Sequence, residues 1–284
     1  MKKHARHLLK PIMLSLAIVC LVFANFVGPW SNVSAAAAED KAKSTVISKE
    51  APMKPSPEPA KVLVDKNGFD SKGRVVGYFG SPVIDGNADS VWSKVPAVKP
   101  KHITGNIDTS ATFKVMRDDR ALYILAEVKD KNLSVKSGTP YMQDSVEYFL
   151  DEKNDKTQEY GVDDLHFRVN YENSLSVDNG NSERFYTSSK KGKDGYIVEA
   201  RIALTDKPEN GKVLGIELQI NDAKETERIG TINVFDSTGT AWNDPRKFGS
   251  VLLTGKAKND VSGPNPYDLM NLIKSTLKLD FKLY

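Results

Sequence analysis

The residues best suited to chemistry lie in an aromatic and acidic turn that runs into an alternating strand at 141–149. Side chains in a strand point to opposite faces in turn, so Glu147 lies on one face and Val146 and Tyr148 lie on the other. The second face is the better candidate for the core. A carboxylate in mid-strand, with the ring of Tyr141 just before the strand, indicates a cleft for a polar ligand. An ordinary half-solvated strand is the alternative.

Two later segments repeat this alternation of long polar side chains with apolar ones. The polar members are His166, Arg168 and Asn170 in the first segment and Glu217, Gln219 and Asn221 in the second. If these segments lie beside the strand of Glu147, one sheet face would carry a carboxylate, a guanidinium and an amide. Such groups tolerate burial when they pair with one another or with ligand hydroxyls. A solvated sheet face is again the alternative.

The elements that must position these residues have the pattern of short strands. From residue 74 onward, segments rich in Val, Ile, Tyr and Phe alternate with Gly, Asn, Asp and Pro clusters, without a stretch of helical period. This pattern predicts an all-β fold, an antiparallel β-sandwich of the jelly-roll or lectin-like kind. The predicted strands are 112–117, 121–129, 165–171, 185–190, 196–203, 215–222, 228–236 and 248–254.

The N-terminal residues 1–36 have the pattern of a secretory signal peptide. Four basic residues come first, the stretch 12–28 is apolar apart from Ser15 and Asn25, and Val33-Ser34-Ala35 offers a cleavage site. An uncleaved membrane anchor is the alternative. We therefore expect a secreted, extracellular protein, either free or attached to the cell surface.

Three further segments follow the signal peptide. Residues 37–72 are polar with interleaved prolines and predict an extended, disordered linker. Residues 73–256 contain the predicted sandwich. Residues 257–284 form a tail in which apolar residues recur at helical spacing from Tyr267 to Leu277, which favours a short helix.

Composition excludes several classes of site. The one cysteine, Cys20, lies in the apolar N-terminal stretch, so the exported part contains no disulfide. Without the four basic residues of the signal, 36 basic residues face 37 acidic ones, which gives no basic surface for nucleic acid. The histidines have no zinc-binding spacing, and no membrane contact is expected of the mature domain.

An acidic loop is the candidate metal site. No cofactor is required by the sequence, but carboxylate and amide oxygens are the ligands that calcium prefers. They are offered by Asp151, Asn154, Asp155, Asp163 and Asp164. A solvated acidic loop without an ion is the alternative.

The chain resembles the family 9 carbohydrate-binding modules appended to bacterial xylanases. The resemblance covers about 75–253, and its segments occur in the same order and at compatible spacing. They are PVIDG at 82–86, ADSVW at 88–92, QDSVE at 143–147, FRVNY at 167–171, GYIVEA at 195–200, QINDA at 219–223 and TAWNDPRKFG at 240–249.

This resemblance implies a non-catalytic β-sandwich that binds plant polysaccharides, at their reducing ends, or small saccharides between two aromatic rings. By position, the rings are Tyr141 and Trp242, and the polar contacts are Glu147, Arg168 and Gln219. A well-characterised member has tryptophan in place of Tyr141 and asparagine at position 239, where this chain has glycine, which implies weaker or altered sugar binding. Family members also hold structural calcium. Independently of the resemblance, Trp92 follows the turn residues Asp85-Gly86 and Asp89 and is expected to anchor the core.

Two other functions are compatible with the sequence. A glycoside hydrolase needs only two suitably separated carboxylates, which the chain has in plenty. A cell-surface or partner-binding sandwich could keep the fold after losing the sugar. If the module serves a glycoside hydrolase, that enzyme or a cell-surface component would be a separate partner.

Overall fold

Twelve strands make up almost all of the regular structure in the computed structural model, which describes residues 61–262. The predicted signal peptide, most of the linker and the predicted tail helix lie outside the described residues. In chain order the strands are β1 Val75–Phe79, β2 His102–Gly105, β3 Ser110–Arg117, β4 Ala121–Lys129, β5 Ser145–Asp151, β6 Asp164–Asn170, β7 Leu175–Asn179, β8 Phe185–Lys191, β9 Gly195–Ala203, β10 Val213–Lys224, β11 Glu227–Asn233 and β12 Gly249–Thr254. Four single-turn 3-10 helices complete the described elements: Ser90–Lys94, Pro140–Met142, Ser182–Arg184 and Pro245–Lys247.

The strands form one hydrogen-bonded sheet that branches at the longest strand, β10. The order along the sheet is β7-β6-β5-β10-β12-β1-β3-β4-β9-β8, and β11 pairs with β10 and with β2. The first residues of β10, 213–216, bond to β12, whereas its later residues, 219–224, bond to β11. Apolar side chains of β5, β6 and β10 share one core with those of β3, β4 and β9. The sheet therefore folds over itself into sandwich-like layers, and the all-β prediction is confirmed.

Strand direction departs from the prediction at β1, which runs parallel to both of its neighbours, β12 and β3. All the other pairings are antiparallel. Parallel neighbours cannot be joined by a tight hairpin, and here the connections are long in sequence. A pattern of short alternating segments gives no information on such pairings. Three strands, β1, β2 and β7, are absent from the predicted set, and each has only four or five residues, too few to show a clear alternation.

The alternation predicted for 145–150 is confirmed in β5. Val146, Tyr148 and Leu150 lie in the main core, where each is at most 1% exposed. Glu147 points to the opposite face, which carries the functional cleft. Burial of side chains of this size contributes roughly 1.5–3 kcal/mol each, so the core faces fix the register of the polar face.

Two aromatic residues extend the core beyond the central strands. Trp92 is buried, as predicted, and its Nε1 donates a hydrogen bond to Glu199 Oε1 at 2.9 Å. Phe69 is buried too and meets the ring of Phe235 edge-on, so the packed chain begins a few residues before position 73. Within the described part of the chain, no helix is long and apolar enough to cross a membrane.

Candidate functional site

A cleft of about 820 Å³ opens on the polar face of β5, β6 and β10. The edge pair β2 and β11 and two loops complete its walls. All five residues predicted to bind ligand line it: Tyr141, Glu147, Arg168, Gln219 and Trp242. A second cleft, of about 500 Å³, lies between β2 and β3, but no aromatic ring lines it.

Glu147 is the centre of a buried polar network on the floor of this cleft. Its Oε2 accepts hydrogen bonds from Arg168 Nη2 at 2.9 Å and from His166, whose Nε2 is 2.6 Å away. Its Oε1 accepts from Asn221 Nδ2 at 2.6 Å and, more weakly, from Gln219 Nε2 at 3.4 Å. The carboxylate is therefore held on all sides by protein donors.

These partners decide the charge of the floor. Burial by itself would raise the pKa of Glu147, but the hydrogen bonds from His166 and Arg168 outweigh it and lower the pKa to about 2. Burial likewise opposes the charge of Arg168, yet its pairing with Glu147 and with Asp178 raises its pKa. The network thus holds a buried carboxylate and a buried guanidinium, both ionised.

Gln219 lies one strand further along the floor, directly opposite Glu147 in the β5–β10 register. Its Nε2 donates to Asn221 Oδ1 at 2.9 Å, and its Oε1 accepts from Asn233 Nδ2 at 2.8 Å. Since each amide is fixed by its neighbours, the floor presents its remaining donors and acceptors in a single orientation.

Tyr141 forms one wall of the cleft and is 42% exposed. It lies in the 3-10 turn Pro140–Met142, which Asp144 fastens to the sheet by accepting the N–H groups of Ser134 and Ala223. The guanidinium carbons of Arg168 and Arg228 lie 6.0 Å and 5.4 Å from the centre of the ring. The ring is thus placed by contacts to two cations as well as by its turn.

Trp242 forms the other wall and is the most exposed aromatic side chain of the described residues, at 61%. Its loop is organised by the buried carboxylate of Asp236, which accepts the N–H groups of Thr238, Thr240 and Ala241 at 2.7 Å each. Burial raises the pKa of Asp236, but these donors and the Thr238 hydroxyl lower it below its ordinary value. An ionised carboxylate therefore holds the loop that presents the indole ring.

Aromatic packing supports both the loop and the floor from behind. Ala241 packs with Phe149 and Phe248, and its carbonyl oxygen accepts a hydrogen bond from Tyr160 Oη at 2.7 Å. Phe149 also stacks on the His166 ring, with centroids 4.2 Å apart. This small cluster fixes the base of the Trp242 loop relative to the histidine that holds Glu147.

Among the cleft residues that were not predicted to bind ligand, three have a charged or imidazole side chain: His166, Asp178 and Arg228. His166 was recognised as a member of the polar strand face, and only its role was missed. Asp178 lies on β7, which was not predicted, and Arg228 lies near the start of β11. For these two, no pattern in the sequence indicated that the sheet would bring them to the cleft.

The comparison with known protein families is decisive once this geometry is known. The sequence model of the family described as "Carbohydrate family 9 binding domain-like" matches residues 84–256. The chain belongs to this family. The resemblance seen in its sequence motifs is thereby confirmed.

Two relatives named as glycan-degrading enzymes match about three fifths of this chain. The chain is 44% identical over 182 residues to the exoglucanase XynX of Acetivibrio thermocellus and 44% identical over 181 residues to the endo-1,4-beta-xylanase A of Thermotoga maritima. The matches cover 63% and 62% of this chain and only 17% of each relative.

A family 9 module from Caldicellulosiruptor kristjanssonii has been solved in complex with glucose and with cellotriose. Both structures are 49% identical to this chain and superpose with a TM-score of 0.65. The glucose complex covers 66% of this chain and 98% of the solved module, and the cellotriose complex covers 68% and 100%.

Two groups of carboxylates in this family 9 domain have the spacing of a cation site. The oxygens of Asp151, Asp155 and Asp163 lie within 4.8 Å of one another, which includes three of the five residues predicted to hold calcium. However, Asp151 already accepts backbone N–H groups, and Lys153 Nζ lies 3.2 Å from Asp163. Protein donors therefore satisfy much of this group.

The second group consists of Asp130, Asp144 and Asp222, which are all buried and have oxygens within 4.8 Å of one another. Asp130 Oδ2 has no hydrogen-bond partner among the described residues. Burial, with added repulsion from Asp130 and Asp222, raises the pKa of Asp144. Three converging buried carboxylates without a basic partner match the oxygen ligands that calcium takes.

Proposed function

We propose that this protein is a secreted, non-catalytic carbohydrate-binding protein that holds one sugar ring between Tyr141 and Trp242. The observation that carries the proposal is the cleft itself, in which the two exposed rings stand over a buried polar floor. A pyranose has apolar C–H faces and a polar edge. Two aromatic walls suit the faces, and a floor of amides and charged groups suits the hydroxyls.

The electrostatics of the floor favour binding over hydrolysis. A glycoside hydrolase needs a general acid together with a nucleophile or base. Glu147 has a pKa of about 2 and is 2% exposed, so it carries no proton to donate and its oxygens face protein donors. The xylanase and exoglucanase activities named for the relatives belong to proteins of which this domain matches only 17%.

The ligand that we propose is the reducing end of a xylan- or cellulose-type glycan, or a small saccharide of the same kind. The glucose and cellotriose complexes of the Caldicellulosiruptor module support this ligand class. A monosaccharide has about twelve non-hydrogen atoms, and roughly 0.3–0.5 kcal/mol for each gives a Kd between millimolar and tens of micromolar. Such weak binding suits reversible adhesion to a polymer.

The proposal for localisation and partners rests on the sequence. With the predicted signal peptide at 1–36 and linker at 37–72, the domain would act outside the cell, either free or near its surface. A separate glycoside hydrolase or a cell-surface component would be its protein partner.

We also propose that calcium binds at Asp130, Asp144 and Asp222, where it would have a structural role. Asp144 accepts N–H groups from Ser134 and Ala223, so an ion at this group would stabilise the turn that carries Tyr141. The acidic group around Asp151 is the less favourable site, because the ammonium of Lys153 already pairs with Asp163 there, whereas Asp130 Oδ2 has no hydrogen-bond partner among the described residues.

Titration calorimetry on the exported chain, from residue 37 onward, tests sugar binding. Saturable heats with glucose, cellobiose or xylobiose are expected. Heats indistinguishable from dilution with all three sugars would instead favour a sandwich that has lost the sugar and binds another partner. Release of reducing sugar from xylan or cello-oligosaccharides would contradict the non-catalytic function.

A further inference from the structure

Glu217 belongs to the same face of β10 as Gln219, yet its side chain is completely buried and does not line the cleft. It lies at the branch point of the sheet. The pairing of β10 with β12 ends at Ile216, and its pairing with β11 begins at Gln219. A carboxylate buried at such a point is costly unless it has hydrogen-bond partners.

The partners of Glu217 are four backbone N–H groups, and three of them belong to the segment that follows β11. Its Oε1 accepts from Leu218 at 2.9 Å and from Val234 at 2.8 Å. Its Oε2 accepts from Phe235 at 2.9 Å and from Asp236 at 2.6 Å. Burial raises the pKa of this carboxyl, and the N–H donors oppose that rise. Where the ladder between β10 and β11 ends, this side chain takes over as the acceptor.

Asp236, the last residue of this segment, extends the constraint to the loop of Trp242. Its backbone is held by Glu217, and its own buried carboxylate accepts the N–H groups at 238, 240 and 241. Trp242 follows directly in the chain, and its ring forms a wall of the cleft. Two buried carboxylates in series therefore connect the core strand β10 to an exposed aromatic ring.

We propose that Glu217 is a positioning residue for sugar binding, which sets the direction in which the chain leaves β11 and thereby the place of the Trp242 ring. The inference rests on the proposed function and adds to it a residue that does not line the cleft. Without an acceptor at 217, the N–H groups of 234–236 would lack this partner, and the segment would rearrange to find others. The loop would then populate several conformations. If only one of them presents the ring to the sugar, the apparent Kd rises by the inverse of its population.

Calorimetry with cellobiose on the exported chain, from residue 37 onward, compares wild type with Glu217→Ala and Glu199→Ala. Glu199 is the matched control, because it is equally buried and its carboxylate also accepts backbone N–H groups, from Asp85 and Gly86, but it does not line the cleft. We expect about tenfold weaker binding for Glu217→Ala, which corresponds to a competent loop population of about one tenth. Glu199→Ala should bind as wild type does, although both variants should melt at a lower temperature.

A conservative pair of variants decides the matter if an alanine variant does not fold. Glu217→Gln retains one acceptor oxygen, so its Kd should be about threefold weaker than that of wild type, and smaller in effect than Glu217→Ala. Glu199→Gln should bind as wild type does. Unchanged binding in both Glu217 variants, or equal losses in the Glu217 and Glu199 variants, would show that Glu217 stabilises the fold without positioning the ring.

Amide hydrogen exchange without sugar tests the same inference independently of ligand binding. In the Glu217 variants, the N–H groups of the loop 238–241 should exchange about tenfold faster than in wild type, because the loop opens more often. In the Glu199 variants, they should keep their wild-type rates. Wild-type rates in the Glu217 variants would overturn the inference and leave the proposed function standing. If wild type binds no sugar, the proposed function is wrong, and the exchange rates still decide whether Glu217 holds the loop.

Discussion

Glu147 and Arg168 are direct cross-strand partners in the antiparallel β5–β6 pair, and Arg168 Nη2 lies 2.9 Å from Glu147 Oε2. Their neighbours in the same sheet supply the other donors to Glu147. Because strand register sets this pairing, the polar floor is formed as soon as the sheet folds. A ligand then meets groups whose orientation is already fixed, which lowers the entropy cost of binding.

Replacing Trp242 should remove most of the sugar affinity without weakening the fold. Truncation of a central aromatic anchor costs about 2 kcal/mol, or roughly thirtyfold in Kd, in Trp242→Ala. Since the side chain is 61% exposed, the melting temperature should change little. Calorimetry and thermal melting measure the two effects. The control is Tyr186→Ala, an exposed ring on β8 outside the cleft, and equal loss in both variants would contradict a clamp at Trp242.

Enlarging the opposite ring should strengthen binding. Tyr141→Trp offers a wider stacking face on the same turn, and a gain of about 0.5–1 kcal/mol would tighten the Kd roughly two- to fivefold. Tyr141→Phe keeps the ring and removes only the hydroxyl, so its Kd should match that of wild type. A weaker Kd for Tyr141→Trp would show that the turn does not place its ring over the sugar.

Asp236 should matter for binding although it does not line the cleft. Asp236→Ala removes the acceptor for the N–H groups of Thr238, Thr240 and Ala241, so the Trp242 loop loses its fixed shape. We expect at least a tenfold weaker Kd and a loss of about 2 kcal/mol in the free energy of unfolding. Asp244→Ala is the matched control: Asp244 lies two residues after Trp242 and pairs with Arg246, and it accepts none of these three N–H groups. Unchanged affinity in Asp236→Ala would mean that the loop is held by other contacts.

Glu147 should stabilise the fold above its unfolded pKa and lose this effect in acid. Its pKa falls from 4.5 to about 2 on folding, so its contribution is complete above about pH 4.5 and disappears as the pH falls toward 2. Glu147→Gln should therefore be less stable at pH 7, by about 3 kcal/mol, and converge with wild type near pH 2. Urea unfolding across this range measures the difference. The exposed Glu172→Gln serves as control, and a constant gap at all pH values would contradict the shift.

Calcium should raise the melting temperature of protein that has first been treated with a chelator. Saturation at about a hundred times the Kd would stabilise the fold by roughly 2.7 kcal/mol. Asp130→Asn should abolish this gain, whereas Asp155→Asn in the second acidic group should retain it. A gain that depends on Asp155 instead would place the ion at the loop predicted from the sequence.

The site residues that could be predicted from the sequence lie on strands in which apolar and polar side chains alternate. Buried Val146 and Tyr148 fixed which way Glu147 points, and the same argument placed Arg168 and Gln219 on the shared face. Tyr141 and Trp242 stand in loops, where no period applies. Their pairing across one cleft followed only from the family resemblance.

The sequence by itself determined the all-β class, most strands and their faces, because alternation records which side of each strand is buried. Only the tertiary structure decided that β1 runs parallel to its neighbours, that Glu147 is enclosed by its own donors, and that Asp178 and Arg228 reach the cleft. Strand order and register join residues far apart in the chain. Those contacts depend on how whole layers pack, and no local pattern encodes them.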